Sequence, residues 1–200
     1  MAPALFSRRM DAALSLAARA HQGQTRKGSS TPYIAHPFHV ALILERVGAP
    51  PDVVVAGVLH DLLEDTAVTP DQLRDAMGPE VARLVEAVTQ PSVEGMDPAG
   101  WAEVRAMAIT KLERASVEVA LLKGADTLHN LSSLLLDLED RGVTALERFR
   151  RPVELQLWYY GEVVRVVGER LGAQHPLALE LTHTLHAVRA AAWAVGDPTA

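Results

Sequence analysis

The sequence predicts an all-α protein, and three observations carry that expectation. Apolar residues recur at spacings of three and four almost throughout the chain. Period-two runs and Asn-Gly or Asp-Gly hairpin signals are nearly absent. Proline and glycine stand where helices begin and end.

The elements follow in order. Leu5, Ala12, Leu16 and Ala20 fit one face of a helix over 4–21. Residues 22–33, QGQTRKGSSTPY, break both periodicities and read as a loop. Pro37 suits the first turn of a second helix, which Gly48 closes. A third helix starts near Pro51–Asp52 and runs through LHDLLED. Its valine run resembles a strand, but Val54/Val58, Val55/Leu59 and Val58/Leu62 are spaced i, i+4, which favours helix. Thr69-Pro70-Asp71-Gln72 has the form of a capping box, opening a short helix to Met77 that Gly78 stops. Another helix spans Pro79 to about Thr89, and 90–99 form a break. Helices are predicted over 100–114, 116–138, 143–171 and 175–195, with the final GDPTA fraying. No fixed-period repeat or low-complexity tract appears.

Two hundred residues suggest one domain over 1–200. Hydrophobic residues make up 48% and charged residues 22%, which argues against a disordered chain. Cysteine is absent, so disulfides, thiolate metal sites and cysteine nucleophiles are excluded together. The net charge of −6 argues against a chain that lives on nucleic acid. Arg8, Arg9, Asp11 and Arg19 interrupt every apolar stretch near the N-terminus, so no signal-peptide core forms. No apolar run approaches the roughly 20 residues that span a bilayer. The expectation is a soluble cytoplasmic protein with no membrane or nucleic-acid partner; the sequence does not give its oligomeric state.

Four patterns depart from simple core-and-surface periodicity. His60, Asp61, Glu64 and Asp65 crowd one imidazole and three carboxylates into one sector of the third helix. Such like charges repel unless a cation sits among them. Lys123, Asp126 and Asn130 line one stripe of a helix rich in leucine; alone they read as a structural ion pair. His36 precedes Pro37 in TPYIAHP, and alone it reads as a helix-capping or half-buried histidine. Arg26 and Lys27 lie in the Gly/Ser-rich loop, where a solvated tip is the ordinary fate.

Taken together and in order, RKGSSTPYIAHP, HDLLEDT and LLKGADTLHNL resemble the HD superfamily of metal-dependent phosphohydrolases. Within it the chain is similar to the hydrolase domain of RelA/SpoT proteins and to the small stand-alone alarmone hydrolases. The resemblance covers roughly 10–140 and leaves 143–195 as a helical extension. It implies an HD-domain helical bundle and one divalent metal held by His36, His60, Asp61 and Asp126. The implied metal is Mn²⁺, with Fe²⁺ or Zn²⁺ as alternatives, and two imidazoles with two carboxylates suit such ions better than Mg²⁺. The resemblance further implies catalytic roles for Glu64 and Asp65, and substrate contacts from Arg26, Lys27 and Asn130. Gly124 stands where the family usually has leucine, which suggests a close backbone approach; Ser30 and Ser132 are further departures.

The activity so implied is hydrolysis of guanosine-3′,5′-bis(diphosphate) at its 3′-pyrophosphate. Other phosphorylated nucleotides remain open as substrates, including the 2′-phosphate of NADPH or a nucleotidase range. A non-catalytic nucleotide-binding sensor is a further alternative.

Overall fold

Helices start where a short polar side chain accepts from a free amide of the first turn, or where a proline removes one such amide. Ser7 accepts from the Met10 amide, Asp97 from Gly100 and Ser116 from Val119. Thr69 and Gln72 form the predicted reciprocal capping box. The computed structural model describes residues 6–149 and 151–194, and the chain divides into two units, Met1–Gln90 and Pro91–Ala200. Both are helical. Among the described residues there is no strand, only one isolated bridge between Thr25 and Pro32. None of the described helices is long and apolar enough to cross a membrane.

The first unit holds α1 (Arg8–Ala20), α2 (Ala35–Arg46), α3 (Pro51–Leu59), α4 (Leu62–Asp65), α5 (Pro70–Met77) and α6 (Pro79–Val88). α3 is its centre and packs against α1, α2 and α6. Every residue from Val53 to Leu59 is buried, which explains why its sequence is apolar on all sides. Gly57 permits the close crossing of α2, because a Cβ there would lie 2.6 Å from Leu44 Cδ1. Arg9 pairs with Asp52 and donates to the Met77 carbonyl at 2.9 Å, tying α1 to the start of α3 and the end of α5.

The second unit holds α7 (Pro98–Glu113), α8 (Val117–Arg141), a 3-10 helix (Gly142–Arg148), α9 (Val153–Leu171) and α10 (Pro176–Ala194). α8 packs against α9, α10 and the 3-10 helix, and α7 packs on α9. A Cβ on Gly124 would lie 3.0 Å from Leu177 Cδ2 and 3.1 Å from Val167 Cγ1, so this glycine does mark a close approach. The Arg105 guanidinium lies 5.2 Å from the Trp101 ring and 5.0 Å from that of Tyr159, joining α7 to α9.

Three boundaries differ from the sequence reading. The single helix expected over 143–171 is a 3-10 helix followed by α9, because Pro152 lacks an amide hydrogen and serves as the cap of α9. The third helix does not run through LHDLLED. It stops at Leu59 and resumes as the single turn α4, with His60 and Asp61 between. There the His60 Nδ1 atom takes the Gly57 carbonyl at 2.9 Å, which a continuing helix would offer to the Asp61 amide. The first helix begins at Arg8; Ala4 and Leu5, and the GDPTA expected to fray, lie outside the described residues.

Candidate functional site

The turn between α3 and α4 gathers polar groups at the end of an apolar helix. His60 is buried, and its Nδ1–H donates to Gly57 O, so the ring lone pair sits on Nε2. That Nε2 lies 3.1 Å from Asp61 Oδ1. His36, in the first turn of α2, is also buried and brings its Nε2 to 3.4 Å from Asp61 Oδ2. The two imidazoles meet edge to face with centroids 5.0 Å apart.

Two ring nitrogens therefore converge on one carboxylate. A neutral imidazole lone pair facing a carboxylate oxygen is repulsive unless a proton or a cation lies between them. The donors match what a divalent transition metal accepts: nitrogen from two neutral rings and oxygen from a carboxylate. The hydrogen bond on the far ring nitrogen of His60 is the kind of outer contact that orients a metal-binding histidine.

Tyr33 is the residue that the sequence reading missed. Its hydroxyl lies 2.7 Å from Asp61 Oδ2 and 2.9 Å from Asp65 Oδ2. Burial, and then the charges of Asp61 and Asp65, push its phenol far above the usual range, so it stays a donor. One phenolic hydrogen thus faces two carboxylates. Asp65 is solvent-accessible as a residue, but its carboxyl end turns inward to this group. Burial there, and next the charge of Asp61, hold that carboxyl above the ordinary carboxylate range. The Tyr33 ring stacks tilted on His21 at 4.8 Å and meets His36 edge-on at 6.0 Å. His21 Nδ1 meets Gln24 Oε1 at 2.7 Å, and Gln24 Nε2 donates to the Asp65 carbonyl at 2.8 Å. The only sequence signals for these partners were the tyrosine one helical turn before His36 and a histidine at the end of α1.

The other expected residues sit as follows. Glu64 Oε1 accepts from the Gln90 amide at 2.8 Å. The regular helix is interrupted between His60 and Glu64, at His60–Asp61. Arg26 lies over the Tyr33 ring at 5.8 Å. Its loop is ordered by the Thr25–Pro32 bridge, by Arg26 N donating to Thr31 O and by Tyr33 N donating to Gln24 O, both at 2.9 Å. Lys27 is exposed on the same loop. In the second unit, Asp126 is buried on α8; Lys123 Nζ donates to its Oδ2 at 2.7 Å and Asn130 Nδ2 to its Oδ1 at 2.6 Å. The ion pair and stripe expected on that helix are present.

Comparison with known proteins adds independent findings. The family model described as HD domain matches residues 13–149. The GTP pyrophosphokinase of Streptomyces antibioticus is 39% identical over 128 residues, 64% of this chain and 15% of that protein. The guanosine-3′,5′-bis(diphosphate) 3′-pyrophosphohydrolase of Spiroplasma citri is 36% identical over 117 residues, 57% of this chain and 15% of that protein. The chain thus spans 15% of the length of these curated relatives. Among solved structures, a metazoan ortholog of SpoT described as hydrolysing ppGpp superposes with a TM-score of 0.74 and 27% identity over 92% of this chain and 97% of that one. The protein lmo0812 of Listeria monocytogenes gives a TM-score of 0.66 and 33% identity over 77% of this chain and 93% of that one. The family match begins inside α1 and extends past α8, taking in every motif discussed above. The chain belongs to the HD domain family.

Proposed function

We propose that this protein is a metal-dependent phosphohydrolase that removes pyrophosphate from the 3′ position of guanosine-3′,5′-bis(diphosphate). The observation that carries the reading is the convergence of two buried imidazole Nε2 atoms on the Asp61 carboxylate. The nearly full-length likeness to a SpoT ortholog described as hydrolysing ppGpp supports the choice of substrate. Following the family pattern, His36, His60, Asp61 and Asp126 hold the ion, and Mn²⁺ is the first choice. A divalent ion in such a site supplies Lewis acidity to a water and to the phosphoryl oxygens. The whole of 1–200 acts as one functional domain in this reading, and the cytoplasmic location belongs to the same proposal.

The chain's own groups carry the rest. Water gives its hydroxyl to the phosphoryl group, the bond to the 3′-oxygen breaks, and that oxygen takes a proton. Asp65, whose carboxyl is held above the usual range by burial and then by the charge of Asp61, is a better proton donor or acceptor for this step than an ordinary surface aspartate. Glu64 assists in positioning the water. Arg26 offers a guanidinium that stacks on a base or forks onto a phosphate, Lys27 supplies a mobile charge, and Asn130 contacts the nucleotide.

The test is phosphate and pyrophosphate release across a nucleotide panel with Mn²⁺, alongside metal analysis. Pyrophosphate release from guanosine tetraphosphate, with metal content and activity both lost in His36→Ala, is the expected result. Intact guanosine tetraphosphate beside rapid dephosphorylation of NADPH would move the substrate to the alternative. Binding of nucleotides without turnover would identify a sensor.

A further inference from the structure

We propose that Tyr33 is a positioning residue of the site, in which the hydroxyl orients the Asp61 and Asp65 carboxylates and the ring separately supports the Arg26 loop. This deepens the hydrolase reading and rests on it.

The hydroxyl contacts both acids, at 2.7 Å to Asp61 Oδ2 and 2.9 Å to Asp65 Oδ2. A carboxylate on a short side chain has a broad torsional well, so its plane is set by its hydrogen bonds. Asp61 is the residue whose two oxygens face the two imidazoles, at 3.1 and 3.4 Å. Fixing its plane therefore fixes the donor set. The same hydroxyl keeps Asp65 beside that set rather than in open solvent. Tyr33 is itself tightly placed. Its amide donates to Gln24 O at 2.9 Å, and its carbonyl accepts from the His36 amide at 2.9 Å. Its ring lies between His21 and His36, with Arg26 over its face. One side chain thus links the imidazole of His36, both carboxylates and the basic loop.

Two variants separate the roles. Tyr33→Phe removes the hydroxyl and keeps the ring; Tyr33→Leu removes both. Mn²⁺ affinity is measured by competition with a chelator, which needs no substrate. Thermal unfolding of the metal-free proteins checks that each variant folds. Tyr33→Phe is expected to bind Mn²⁺ roughly 10- to 100-fold more weakly than wild type, the usual cost of losing a contact that orients a ligand. At saturating Mn²⁺ it should lower kcat for guanosine tetraphosphate and leave KM unchanged, because Arg26 keeps its ring. Tyr33→Leu should lose affinity equally and also raise KM.

Equal Mn²⁺ affinity in wild type and Tyr33→Phe overturns the role of the hydroxyl. A KM for Tyr33→Leu equal to that of Tyr33→Phe overturns the role of the ring. If wild type takes up no Mn²⁺, the metal-dependent reading falls, and this inference falls with it. If wild type binds Mn²⁺, Tyr33→Phe binds it weakly and neither hydrolyses guanosine tetraphosphate, the assigned substrate is wrong and the positioning role of the hydroxyl stands.

Discussion

Asp65 shows how a residue's chemistry is set by its neighbours. Its sequence neighbour Glu64 carries the same functional group, yet one accepts from a backbone amide and the other shares a phenol with Asp61. Because burial and then Asp61 raise the Asp65 carboxyl, the metal-free folded chain holds that proton to higher pH than the unfolded chain does. The sign follows: this contribution to stability is full at low pH and is lost as pH rises from about 4 through the elevated value. Asp65→Asn removes the titration. Denaturant unfolding of metal-free protein should therefore show Asp65→Asn gaining stability over wild type as pH rises across that window, then a constant difference. A difference that stays flat from pH 4 upward contradicts the shift. The sequence made the candidate acids and imidazoles legible because they are rare interruptions of an apolar pattern. It did not show that Glu64 and Asp65 diverge, since that depends on the break at His60–Asp61. Tyr33 and Gln24 were illegible for a different reason: their roles lie in hydrogen bonds across 28 to 41 positions of chain, and His21 joins the site through these two residues.

Among the elements, α3 and α5 are opposites in what holds them. α3 is buried along its length and owes its stability to packing. α5 is short, mostly exposed and opened by the Thr69–Gln72 box. Leu59→Ala, at a fully buried position, should cost about 2–5 kcal/mol. Thr69→Ala should cost about 1 kcal/mol, the usual loss of a cap. Urea unfolding that ranks the two the other way would show that α3 is not the centre of its unit. Helix ends with their own chemistry, such as the capping box and the stop at Gly78, were legible from the sequence. The break after Leu59 was not, because a side-chain hydrogen bond from His60 competes with the helical one and no propensity reports that competition. The split at Pro152 was signalled by the proline itself, which the apolar periodicity over 143–171 masked.

At the scale of the whole molecule, the family match runs from residue 13 to 149 and so draws on both units. An ion that binds only the folded chain stabilises it by mass action, by about 2.7 kcal/mol at a hundredfold excess over Kd. Chelator-treated protein should unfold at a higher temperature as Mn²⁺ is added, with a saturable shift that His36→Ala abolishes. The shift should shrink below about pH 6, because imidazoles must be neutral to bind the ion. An unfolding temperature indifferent to Mn²⁺ at neutral pH would remove the metal from the account. The all-α class was legible at this scale because helical periodicity is a whole-chain signal, whereas the division near Gln90 follows from contacts distant in sequence.

The loop that carries Arg26 was expected only to be irregular, yet a β-bridge and backbone bonds between 24–26 and 31–33 already hold it in shape. Gly28 takes its turn at φ +76, a left-handed conformation that glycine adopts without strain. A guanidinium mounted on so short and closed a ribbon meets its ligand ready-made. If the nucleotide binds there as proposed, little chain entropy is left to surrender on association, and encounter need not wait for a segment to fold around it. On the proposed reading, the basic loop is a preformed wall beside the nucleotide, and selectivity comes from shape and charge already in place.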